Sequence, residues 1–102
     1  MELALIRTLM DKEFYDNNRG IRTPDKLFPK DVRKIKSTLD YAMQNYEKDL
    51  TSSELEALFF TRETLTTANK EFYRELFVKI RRERPMSAEI AKEVMSKLFQ
   101  KV

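Results

Sequence analysis

The sequence predicts an all-α fold, a compact orthogonal bundle of about five helices, from two observations. Apolar residues recur at intervals of three and four along most of the chain, which is the period of one helical face. Alternation at period two, which marks a strand, never continues for more than a few residues. The length of 102 residues allows one domain with a single core.

The chain begins with a short helix that is expected to be largely buried. Leu3, Ile6 and Met10 lie on one helical stripe. Phe14 and Tyr15 follow in a further helical turn that is expected to pack back on this helix.

Two prolines bracket the loop that comes next. Pro24 biases Thr23 toward an extended conformation, and Pro29 is expected to be the first residue of the next helix. Between the prolines, Leu27 and Phe28 are expected to seal the core across the loop.

Two helices are predicted in the middle of the chain. The central helix runs from Pro29 to about Glu47, since its apolar stripe keeps helical spacing: Val32, Ile35, Leu39, Ala42, Met43 and Tyr46. Thr51-Ser52-Ser53-Glu54 then reads as a capping box, in which the Thr51 oxygen and the Glu54 carboxylate each accept from the other residue's amide. A new helix therefore starts there and carries Leu55, Leu58, Phe59 and Phe60.

A third long helix is predicted from Thr66 or Thr67 to Arg84, just before Pro85. Its core face holds Ala68, Phe72, Tyr73, Leu76, Phe77 and Ile80.

The last helix is expected to be capped by Ser87. Its apolar stripe is still in phase at the final residue, which predicts a helix that continues in a longer protein. Residues 1–85 are therefore expected to form the globular domain, and residues 86–102 an amphipathic helix that leads toward an absent domain. The stripe consists of Ile90, Ala91, Val94, Met95, Leu98, Phe99 and Val102.

The composition argues against catalysis. The chain has no cysteine, no histidine and one glycine, so thiol nucleophiles, imidazole bases and glycine-rich phosphate loops lack their residues. Glu71 and Glu75 share a helical face, but Lys70 and Arg74 nearby favour ordinary surface ion pairs. We expect no enzymatic activity, no cofactor and no metal in this chain.

The sequence contains no targeting or membrane signal. No apolar run approaches the roughly 20 residues that span a bilayer, and the first residues are charged too early for a signal peptide. A cytoplasmic protein without membrane contact is expected.

Two apolar regions are candidate partner interfaces. Phe59 and Phe60 point about 100° apart on a helix, so one of the two rings is expected to face a partner. The end of the last helix is expected to leave apolar surface for another subunit or domain. The interface candidates there are Val94, Met95, Leu98, Phe99 and Val102.

Positive charge collects near the end of the chain. Lys79, Arg81, Arg82 and Arg84 are candidates for contacts with phosphate groups. The competing interpretation is a solvated helix end, where cations complement the helix dipole.

The ordered series of elements resembles the N-terminal domain of DnaB-type replicative helicases, in particular the phage-like versions. Residues 2–14 resemble that domain's short apolar helix followed by an acidic residue and an aromatic. Residues 23–28 are similar to its loop ending in a buried Phe, and residues 31–35 to the helix after that loop. Residues 46–58 resemble its polar turn and short helix, and residues 72–76 its Tyr-Leu-x-x-Leu-like helix.

The resemblance implies a non-catalytic collar domain of a ring-shaped hexameric helicase, whose ATP-dependent motor domain lies elsewhere. It implies self-association as a dimer or hexameric ring, and docking of a primase or helicase loader. Residues 87–102 would be the first arm of an inter-subunit helical hairpin. Residues 62–67 replace the family's glycine-bearing turn. The alternative is a free-standing small phage or bacterial DNA-binding protein that uses residues 79–84.

Overall fold

The part of the chain that the structure describes is built from helices. The computed structural model describes residues 2–18 and 28–100, and within these ranges every regular element is a helix. The predicted all-α class is confirmed for this part of the chain. The helices are α1 (Glu2–Leu9), α2 (Lys12–Asn17), α3 (Lys30–Asn45), α4 (Ser52–Arg62), α5 (Thr67–Arg82) and α6 (Ala88–Gln100).

The described ranges hold six helices where the sequence predicts about five, because the first segment divides into α1 and α2. Asp11 causes the division. It adopts an extended conformation, and its carboxylate accepts a hydrogen bond from the amide of Phe14 at 2.9 Å. Asp11 therefore caps a new helix instead of continuing the first one.

The helix ends agree with the sequence in their capping chemistry and differ by a few residues in position. The capping box of α4 is present, with the Thr51 hydroxyl and the Glu54 amide 3.1 Å apart. Pro29 is the N-cap of α3 rather than its first helical residue, because its ψ of 150° is extended. Helix α5 ends at Arg82, two residues before the predicted Arg84, since Glu83 is already extended.

The core is built around α3, whose Ile35 and Leu39 are completely buried. Helices α1 and α4 lie against α3, and α5 packs on α1 and α4. Phe28 is buried, as predicted for the residue that seals the core across the loop, whereas Leu27 lies outside the described residues.

An aromatic cluster joins α4 to α5. The ring of Phe59 lies 4.7 Å from that of Tyr73 and 5.4 Å from that of Phe77, measured between ring centroids. Phe59 has no exposed surface and belongs to the core, so of the two candidate rings it is not the one that can face a partner. Phe60, the other candidate, is half-buried.

Helix α6 packs on the same core as the other helices. Ala91 and Met95 join the buried cluster, and α6 contacts α1. Met95, one of the predicted interface residues, is only 1% exposed and packs in the core. The connection before α6 is held to α1 by a hydrogen bond of 2.8 Å from the Met86 amide to the Thr8 hydroxyl.

A buried phenol ties α5 to the start of α3. The Tyr73 hydroxyl donates to the Asp31 carboxylate at 3.2 Å. Burial, together with the nearby negative charge of Asp31, raises the pKa of Tyr73 to about 12. The phenol therefore remains a donor at every pH at which the protein is ordinarily handled.

Replacing Phe59 with alanine is expected to lower the free energy of unfolding by about 3–5 kcal/mol, because it leaves a cavity in a fully buried site. The matched control is Phe72→Ala on α5, where the ring is 49% exposed and the loss should stay below about 1 kcal/mol. Urea unfolding measures both values. Equal losses of unfolding free energy in the two variants would contradict the burial of Phe59 in the core.

Candidate protein-docking surfaces

An open groove of about 430 Å3 lies between α3 and α4. On α4 its lining residues recur at positions 54, 57, 58 and 61, the spacing of a single helical face. We call this feature the α3–α4 groove. It is lined by Ala42, Met43, Tyr46, Lys48, Leu50, Glu54, Ala57, Leu58 and Thr61.

The loop that connects α3 to α4 forms one wall of the groove and is fixed to the rest of the fold. The Leu50 amide donates to the carbonyl oxygen of Met10 at 3.0 Å. The Asp49 carboxylate accepts from the Lys12 amide at 2.8 Å. These bonds hold the loop against the turn between α1 and α2, so the groove is preformed.

The rim of the groove carries one exposed aromatic side chain and one ion pair. Tyr46 is 45% exposed. The Lys48 ammonium binds the Glu54 carboxylate, which also accepts from the Thr51 amide at 3.1 Å. The hydrogen bond from Lys48, followed by those from Thr51, lowers the pKa of Glu54 to about 2. The rim thus holds a paired charge of each sign beside an apolar floor.

Helix α6 presents a second apolar surface. Ile90 is 57% exposed, and Val94 is half-buried against the core. Charged side chains flank them, including the Glu93–Lys97 ion pair at 3.1 Å. The other predicted interface residues of this helix lie outside the described part of the chain, namely the side chains of Leu98 and Phe99 and all of Val102.

Phe60 contributes little to an open surface. Its ring lies 5.5 Å from that of Phe59 and 5.8 Å from that of Phe77, with the Arg74 guanidinium 5.9 Å from its centroid. The ring is therefore mainly part of the packing between α4 and α5. The sequence patterns do not predict the α3–α4 groove.

The structure separates the predicted phosphate-contact residues. Arg81 forms an ion pair with Glu56 at 2.9 Å. Lys79, Arg82 and Arg84 are exposed, and none of them pairs with a carboxylate within residues 2–18 and 28–100.

Two further polar features of the described residues lie outside the groove and the surface of α6. Glu71 and Glu75 are exposed on α5, and the described ranges contain no group of three metal-ligating side chains. A shallower depression of about 400 Å3 lies between α2 and α6, where Glu13, Asn17 and Lys92 are among the lining residues. No helix in the described part is long and apolar enough to cross a membrane.

Comparison of the chain with protein-family models, with curated proteins and with solved structures finds no match. The apolar surfaces themselves therefore carry the functional interpretation.

The Glu54 interactions predict a pH dependence of stability. The pKa of Glu54 in the folded chain, about 2, lies below its ordinary value of 4.5. The contribution of these interactions to the free energy of unfolding is therefore complete above pH 4.5 and is lost as the pH falls toward 2. Glu54→Gln is expected to flatten the fall of the urea midpoint between pH 5 and pH 3. Lys48→Gln, which removes the largest cause, should flatten it in part. If the urea midpoint of Glu54→Gln fell between pH 5 and pH 3 as steeply as that of the wild type, the pH dependence would not come from Glu54.

Proposed function

We propose that the chain is a non-catalytic protein-docking domain of a DnaB-type replicative helicase, and that its α3–α4 groove receives a primase or helicase loader. The observation that carries the proposal is the groove itself. An apolar depression held open between two helices suits the apolar face of an amphipathic helix.

The chemistry of the groove supports a protein occupant. Its floor is apolar, while the Lys48–Glu54 pair and the exposed Tyr46 are among its lining residues. Protein interfaces combine these features, because an apolar centre provides the binding energy and a polar rim orients the partner. Tyr46 is of a residue type enriched at such interfaces.

The order of elements supports the helicase part of the proposal. The resemblance rests on a short apolar helix, an acidic residue with an aromatic, a buried Phe, and three further helices. In this chain those positions correspond to α1, Asp11 with Phe14, Phe28, and the series α3, α4 and α5.

Self-association through α6 is the second part of the proposal. Ile90 has the largest exposed fraction among the large apolar side chains described as exposed. In the family that the sequence resembles, the corresponding region begins a hairpin that packs between subunits. We assign Ile90 and Val94 to this contact.

Ala57→Trp is expected to fill the groove and to weaken binding of the cognate primase or loader about tenfold or more. The control is Ala68→Trp, which adds the same side chain at an exposed position of α5. Isothermal titration calorimetry gives both affinities. Equal affinities for the two variants would exclude the groove, and no binding by the wild-type chain to either partner would count against the proposed function.

Ile90→Glu is expected to abolish self-association and to change the free energy of unfolding by less than about 0.5 kcal/mol, since the side chain is exposed. Val78→Glu provides the control, because Val78 is an exposed apolar residue on α5. Light scattering at several concentrations measures the assembly. A wild-type chain that stays monomeric at high concentration would contradict the assignment to α6.

A further inference from the structure

We propose that a basic corner of the domain, formed by Arg7, Lys79, Arg82 and Arg84, binds the phosphate backbone of a nucleic acid. The corner lies where α1 ends, α4 begins and α5 ends. This contact goes beyond docking of a protein and does not depend on the groove.

The charge of the chain is concentrated at this corner. The four cations of the corner, taken together with the one carboxylate among them, that of Glu83, carry a net charge of +3. The formal net charge of the whole chain is also +3, so the remaining residues are balanced. This local excess of positive charge therefore attracts a polyanion to the corner.

Arg7 joins the corner from a distant part of the sequence. Its Nε donates to the carbonyl oxygen of Glu83 at 3.3 Å, and its Nη1 donates to the Ser52 hydroxyl at 2.7 Å. Both acceptors are neutral, and the guanidinium has no carboxylate partner within the described ranges. Its charge is therefore held in place without being neutralised.

The helix dipole explains only part of this arrangement. Lys79 and Arg82 lie in the last turn of α5, where a cation is favourable in any protein. Arg84 lies beyond the end of α5, and Arg7 belongs to a different helix. A dipole effect therefore does not account for Arg7 or Arg84. Arg81 is left out of the contact because Glu56 neutralises it.

Three of the four cations are arginines, whose planar fork makes paired hydrogen bonds with phosphate or carboxylate oxygens alike. The absence of an exposed ring beside them on α5 favours phosphate groups over an acidic protein, since protein interfaces are enriched in aromatic residues. The nearest strongly exposed aromatic on the same helix is Phe72, which lies about 15 Å from Arg82 along the axis. Because α5 carries no exposed ring near Arg82 that could stack on a base or anchor a peptide, the contact is confined to the backbone and does not depend on nucleotide sequence.

The test is a salt titration of the full chain with fluorescein-labelled duplex DNA and with labelled single-stranded DNA, followed by anisotropy. With about four phosphates neutralised, affinity for the duplex should fall about 150-fold between 50 and 200 mM salt, with a smaller fall for the single strand. Lys79→Gln/Arg82→Gln/Arg84→Gln should reduce the slope of log affinity against log salt to about the one unit that Arg7 contributes. Arg7→Gln should reduce the slope by about one unit.

The control is Lys70→Gln/Lys92→Gln/Lys97→Gln, which removes the same charge from exposed positions elsewhere. For this control, the slope of log affinity against log salt concentration should equal that of the wild type. Circular dichroism checks that both triple variants are folded. Absence of DNA binding at 50 mM salt, or an equal loss in the control, would overturn the proposal. So would polyglutamate that displaces the DNA at equal charge concentration, since it would indicate an acidic protein. None of these results bears on docking at the groove.

Discussion

The packing of Phe59 against Tyr73 and Phe77 is the interaction on which the rest of the structure depends. A fully buried ring in contact with two rings of α5 fixes the rotation of α4 about its own axis. Because successive residues on a helix point about 100° apart, that rotation also decides where every other side chain of α4 lies. The α3–α4 groove is therefore a consequence of the core, and a change at Phe59 would reach the surface through the orientation of α4.

Helix α4 has a different role on each of its faces. Leu55 and Phe59 belong to the core, and Glu56 and Phe60 face α5, through the ion pair with Arg81 and the contact with the ring of Phe77. The remaining face borders the groove. The Thr51–Glu54 capping box fixes the start of the helix, and the Lys48–Glu54 pair connects that start to the loop from α3. The same residues that end the loop and begin the helix thus shape one end of the groove.

Local signals in the sequence were sufficient for the helices, but not for the surfaces. The Thr51–Glu54 box and the stripe of α3 depend on residues within a few positions of one another, and both are present in the structure. By contrast, Phe59 and Phe60 are adjacent in sequence, and only the position of α5 decides that Phe59 is completely buried. The groove was not predicted because Met43 and Leu58 fit a core stripe equally well. Arg7 contacts Glu83, which is 76 positions away in the sequence, and no local pattern reveals such a contact.

The central claim is that the α3–α4 groove is the surface by which this domain binds another protein. Nuclear magnetic resonance of the 15N-labelled chain, titrated with the unlabelled cognate primase and separately with the cognate loader, tests it most directly. The account predicts that one of these partners perturbs the backbone amides of residues 42–50 and 54–61, while the N-terminal half of α5 stays unchanged. Perturbations confined to α5 or α2, or none with either partner, would contradict it.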